Sequence, residues 1–245
     1  LDLRVTPGAD NEWAFAGTLK FKSFSLNISG SQIDLARCEG EVSFDPAGGR
    51  FQQLSLTGTG WTAVVDGSFI RMPDGGTAAQ GTVDLQAASL VPGLLAAMPP
   101  PLREAAADLK MGVSGPIASR GAAFSLTIGT DGTLEAFRAN GQATARGLTL
   151  EPGVAMTDGA GSVDFSVRRG SHADRTTWDL ACMLDSVRAG GVSLSAARAD
   201  VKGLATGEVV VPQFSAECHG GRVSGRVHVG PGTAKGREYQ IETQA

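Results

Sequence analysis

The chain has 245 residues, a length that suits one large all-β unit as well as two small domains. Its 34 glycines, 6% aromatics and 19% charged residues fit a long sheet with many turns, and the apolar half of the alternation sets it apart from a disordered chain. The net charge is −4 and no basic run exceeds Arg168-Arg169, so the stripe that nucleic-acid binding requires is missing.

From Leu1 to Leu90 nearly every segment reads as strand and turn. Leu19 and Phe21 alternate with Lys20 and Lys22. Phe24, Leu26 and Ile28 continue the apolar face after a one-residue slip that predicts a bulge. Asp45–Gly49, Gly58–Gly60 and Pro73–Gly76 are turns. One helical stretch runs from Val91 to about Asp108, divided by Pro99-Pro100-Pro101. Leu102, Ala105, Ala106 and Leu109 fall on one face of its second half. At two or three turns such a helix cannot stand alone and must dock on the sheet. Strands resume at Lys110 and continue to the end. Asp131-Gly132 is a hairpin signal, and Pro212 predicts an edge or bulged strand.

A repeat runs through these strands. Gly17–Leu26, Gly81–Leu90 and Gly141–Leu150 share G-x-Φ-x-Φ-x-x-Φ-x-L, where Φ is apolar. A second pattern, Φ-x-Φ-x₄-G-x-V-x-F, covers Ile33, Leu35, Gly40, Val42 and Phe44, then Val154, Met156, Gly161, Val163 and Phe165. The expected fold is all-β: a long, curled, mostly antiparallel sheet forming a groove or trough, with a short helical insert near 91–108. Fourteen to sixteen strands in one flat sheet would extend about 70 Å, and open sheets beyond about ten strands curl or split. Residues 1–245 read as a single repetitive β unit cut from a longer protein, and a membrane anchor is expected outside it.

Chemistry-bearing clusters are sparse. His172, His219 and His228 are the only histidines. Cys218 and His219 are neighbours, so they point to opposite sides of a strand and do not share a metal. No nucleophile elbow exists, and Gly58-Thr59-Gly60 lacks the helix of a dinucleotide loop. Asp84, Asp164 and Asp179 read as solvated strand-face charge. Cys38, Cys182 and Cys218 are odd in number and far apart. They predict no disulfide framework, although one bridge stays open, and they read as apolar fillers. No catalytic, metal or cofactor site is expected.

The run Val209–Val229, with Gly220, Gly221, Val223, Gly225, Val227 and Val229, resembles the AsmA-like family of bacterial envelope proteins, which includes the TamB and YhdP types. Leu109–Pro116 after the short helix is also similar. The resemblance implies bridge-like lipid transfer, with a groove-shaped sheet whose concave face holds acyl chains. It points to the periplasm, to outer-membrane biogenesis, to phospholipid or another acyl lipid as ligand, and to other envelope proteins as partners. The expected groove residues are Leu19, Phe21, Leu26, Ile33, Leu35, Val42, Phe44, Val83, Leu85, Val163, Phe165, Val167, Val223, Val227 and Val229. The rival reading is a structural or adhesive β-solenoid stalk with a closed, dry core. Against it, the glycine-led copies are spaced irregularly, at 64 residues (17 to 81) and then 60 (81 to 141), whereas solenoid rungs recur every ~20–30 residues.

Overall fold

The computed structural model describes residues 2–7, 13–28, 31–151, 155–170, 175–231 and 239–244, with side chains from Leu35 onward apart from Tyr239. The elements in chain order are β1 (Asp2–Pro7), β2 (Trp13–Ile28), β3 (Ser31–Asp45), β4 (Gly48–Gly58), β5 (Trp61–Arg71) and β6 (Thr77–Ala87). Then come α1 (Pro92–Ala97), α2 (Pro100–Asp108), β7 (Gly112–Val113), β8 (Ile117–Ile128), β9 (Leu134–Leu150) and β10 (Met156–Arg169). The chain continues with β11 (Thr177–Ala189), β12 (Val192–Gly203), β13 (Val209–Cys218), β14 (Gly221–Val229) and β15 (Tyr239–Gln244).

All fifteen strands belong to one antiparallel sheet. The order follows the chain from β1 to β15, except that the helical insert separates β6 from its partner β8 and the two-residue β7 pairs with β9. This is the open, all-β meander that the alternation predicts, and Pro99 divides the insert into its two helices. Asp45 begins the β3–β4 hairpin, its Oδ1 accepting from the N–H groups of Ala47 and Gly48. Asp131 does the same for Thr133 in the β8–β9 hairpin. Pro212 lies in an interior strand and falls where the β13–β14 register shifts between Val211 and Phe214, so it is bulged and not at an edge. The slip near Phe24 takes a different form from a one-sided bulge. The β2–β3 ladder runs Lys22 to Arg37 and then Phe24 to Leu35, so both strands pass one residue together and the register is unchanged.

The helices define an inner face. In β5, Trp61 and Ala63 are buried while Thr62 and Val64 are exposed, and Leu94 of α1 packs with Leu35, Trp61, Ala63 and Ala87. Ala105 and Leu109 belong to a larger cluster with Val113, Phe137, Leu148, Leu150, Val167, Trp178 and Leu184. That cluster requires the sheet to curl. Trp178 is in register with Val167 and Val167 with Ala139, and Leu150 lies eleven residues further along β9, roughly 36 Å away on a flat sheet. Yet the Trp178 indole N–H lies 3.5 Å from Asp108, and the next residue, Leu109, accepts a hydrogen bond from the N–H of Glu151. Both ends of β9 are therefore folded toward one helix terminus.

The bends occur at bulges. Gln53, Gly121, Gly147, Asp158 and Ala196 all have positive φ, and register shifts flank Gln53, Gly121, Asp158 and Ala196. Two outer-face carboxylates hold such bends: Asp66 accepts from the Gln53 N–H at 2.8 Å and Asp84 from the Gly121 N–H at 2.6 Å.

Candidate functional site: the inner face

Six glycines of the inner face sit beneath aromatic rings. A Cβ on Gly67 would lie 2.7 Å from Phe51, one on Gly49 2.7 Å from Phe69, and one on Gly225 2.7 Å from Phe214. Gly58 stands in the same relation to Trp61 and Gly203 to Trp178, with contacts of 2.2 and 2.1 Å. Gly141 lies under Phe165 at 3.3 Å. Each ring lies flat across the neighbouring strand's backbone. Large side chains thus cover the sheet without standing up from it, and the wall is thin, smooth and apolar.

The face has two regions. In the first, from β9 to β14, folded-over strand ends and α2 make a dry core: Trp178 is 1% exposed, Val209 1% and Val229 0%. In the second, from β3 to β5, Val42, Phe51, Leu54, Val65 and Phe69 are half-buried and Phe44 is exposed. None of these six belongs to either core cluster. Between the rims no described inner strand position carries a charge. Arg71 ends β5, and Arg169 ends β10, where it pairs with Glu104 of α2 at 2.8 Å. The buried Thr176 hydroxyl also donates to Glu104. Together with the Asp108–Trp178 contact, these bonds clamp α2 across the inner face.

The expected groove residues divide accordingly. Leu19, Phe21 and Leu26 are in register with Gly40, Cys38 and Ile33, and their side chains, like that of Ile33, lie outside the described residues. The same holds for Val154 and His172. Leu35, Val167 and Val229 are buried in the two cores. Val42, Val83, Leu85, Val163, Phe165, Val223 and Val227 are half-buried, and Phe44 is exposed. Val83 and Leu85 pack beside α1, while Val163, Phe165 and Val227 pack against the larger core. Phe51, Leu54, Val65 and Phe69 complete the open band and were not expected. The bulge at Gln53 breaks the alternation that would have revealed Phe51 and Leu54 as one face.

The three cysteines are free. Burial and the nearby Asp200 carboxylate push the Cys182 thiol up to about 11, and burial raises that of Cys38. Neither is poised as a nucleophile. Among the described residues no three of His, Cys, Asp or Glu converge as a metal site, and no helix is long and apolar enough to cross a membrane. Two depressions, of about 720 and 670 Å³, are lined mainly by residues of the outer face. Compared with protein-family models, curated proteins and solved structures, the chain matches none.

Proposed function

We propose that this chain is a non-enzymatic lipid-binding segment of a bacterial envelope protein, holding acyl chains against its inner face for transport between membranes. The observation that carries the reading is the open band Val42, Phe44, Phe51, Leu54, Val65 and Phe69, an apolar surface bounded by two cores and covered by neither. Apolar chains gain from such a wall, and a headgroup has no charge on it to pair with until the rim is reached. The chain exposes 14025 Å², whereas a compact monomer of this size exposes about 10,000 Å². That excess supports a sheet with uncovered inner surface. The likeness of Val209–Val229 to the AsmA-like family points the same way and supplies the periplasmic setting, the acyl-lipid ligand and the envelope-protein partners of this proposal.

A second reading is favoured by one observation. The β9–β14 region is dry, with Trp178, Val209 and Val229 almost fully covered. There the sheet acts as a structural scaffold with a closed core.

Strand parity tests the proposal. A photo-crosslinking residue at Phe51 should capture phospholipid and one at Gln52 should not, because neighbouring strand positions face opposite ways. Phe165 against Ser166 and Val227 against Arg226 extend the comparison along the sheet. Parity-dependent capture at Phe51 alone would confine the site to the open band. Equal capture at both parities, or no capture by protein purified from membranes, would leave only the scaffold reading.

A further inference from the structure

The outer face carries a feature unrelated to the apolar wall. Ser68, Gln80, Ser125, Arg138 and Arg168 form one row across β5, β6, β8, β9 and β10, each in register with the next. The row crosses the floor of the 670 Å³ depression. Beside it the floor drops, because Ala78 and Ala136 are small and Thr127 is the only larger residue between them. Arg138 and Arg168 are thus direct cross-strand partners on one face, and like charges placed opposite each other are destabilising. Asp179 on β11 reaches Arg168 at 3.2 Å. The Arg138 side chain has no hydrogen-bond or ion-pair partner among the described residues. No carboxylate lines the depression, while two serines, a threonine and a glutamine supply donors around the pair.

We propose that this depression is an oxyanion site that takes a phosphate group, clamped between Arg138 and Arg168 and bonded at its edge by Ser125 and Gln80. Guanidinium forks match phosphate oxygens two at a time, and the hydroxyls complete the shell. The phosphate comes either from a lipid headgroup or from a soluble phosphate ester, and the chemistry at the arginines is the same for both.

The test uses the whole chain and inorganic phosphate as probe. Phosphate is titrated against chloride at constant ionic strength and followed by ³¹P line broadening. Saturable binding in the millimolar range is expected, at least tenfold weaker in Arg138→Gln and in Arg168→Gln and lost in the double variant. Arg198→Gln, an exposed arginine on β12 of the same face, should bind like the parent. Circular dichroism checks that each variant is folded. Sedimentation with phosphatidylglycerol vesicles, compared with phosphatidylcholine vesicles, separates the sources. Vesicle binding lost in the double variant assigns the site to an anionic headgroup, and phosphate binding without vesicle binding assigns it to a soluble ester. Absence of saturable binding up to 50-fold above millimolar, or equal weakening by Arg198→Gln, overturns the proposal. This site and the inner-face reading fail separately, since no variant here touches the apolar wall.

Discussion

Replacing Gly203 with alanine sets two effects of opposite sign against each other. In a strand, alanine is favoured over glycine by roughly 0.5–1 kcal/mol, because it loses less backbone entropy on folding. At Gly203, however, the added Cβ would lie 2.1 Å from Trp178 Cε2 and 2.2 Å from Nε1. Carbon atoms rest about 3.5–4.0 Å apart, so the ring would have to retreat by more than an ångström. Trp178 is 1% exposed and its indole N–H faces Asp108 at 3.5 Å, so it has nowhere to go. Overpacking of this kind costs about 1–3 kcal/mol, and a rigid, fully buried indole belongs at the upper end. The net expectation is a loss of about 2 kcal/mol, read as a fall in the urea midpoint by circular dichroism. Gly93→Ala is the control. It sits in α1 with nothing within 4 Å of the new methyl group, and should stabilise by up to about 1 kcal/mol. In a double-mutant cycle, Trp178→Leu should cost less beside Gly203→Ala than alone. A Gly203→Ala protein as stable as the parent would refute the claim that the rings lie flat on the glycines.

Other outcomes follow from the clamp and the thiols. Glu104→Ala leaves Arg169 and Thr176 without their partner. With both charged side chains partly exposed, the expected loss is about 1 kcal/mol, and the α2 amides should exchange faster with solvent. Unchanged exchange would show that α2 is held by packing alone. Cys182 carries a folded-state value of about 11 against an ordinary 9.0. Between those values the unfolded thiol has lost its proton and the folded one has kept it, so stability is constant below about pH 9 and falls as pH rises toward 11. The full effect is on the order of 2–3 kcal/mol. Cys182→Ala should remove that extra alkaline loss, and an identical pH profile in the variant would count against the buried thiol as its source.

Much of the architecture is visible in the chain because period-two alternation and turn chemistry are local. Thr62 and Val64 against Trp61 and Ala63, the Asp45 and Asp131 hairpins and the proline-divided insert all follow from neighbours in sequence. What stays hidden depends on register. Alternation says that Gly67 and Phe51 face one side, but not that they are cross-strand partners. Glycines such as Gly49, Gly67 and Gly225 therefore read as punctuation when they are seats for aromatic rings. Bulges hide more. Gln53 shifts the phase of β4, so Phe51 and Leu54 do not look like one face. Leu35 and Cys38, three apart, are both buried because β2 and β3 skip a residue together. The division of the inner face into a dry core and an open band depends on α2 and on the strand ends that fold over it. No local pattern encodes that closure, and so Val167 and Val229 could not be told apart from Val163 and Val227.

Pairing between chain neighbours alone has a further consequence. Apart from β7, each strand pairs with its neighbours in the chain, and among the described residues α1 and α2 pack across strands that are not adjacent. A hairpin added at either edge of the sheet would find its partner in the edge strand. It would lengthen the sheet by about 9.6 Å and leave the existing ladders in place. Such a wall can evolve in length as a fence does, by adding panels.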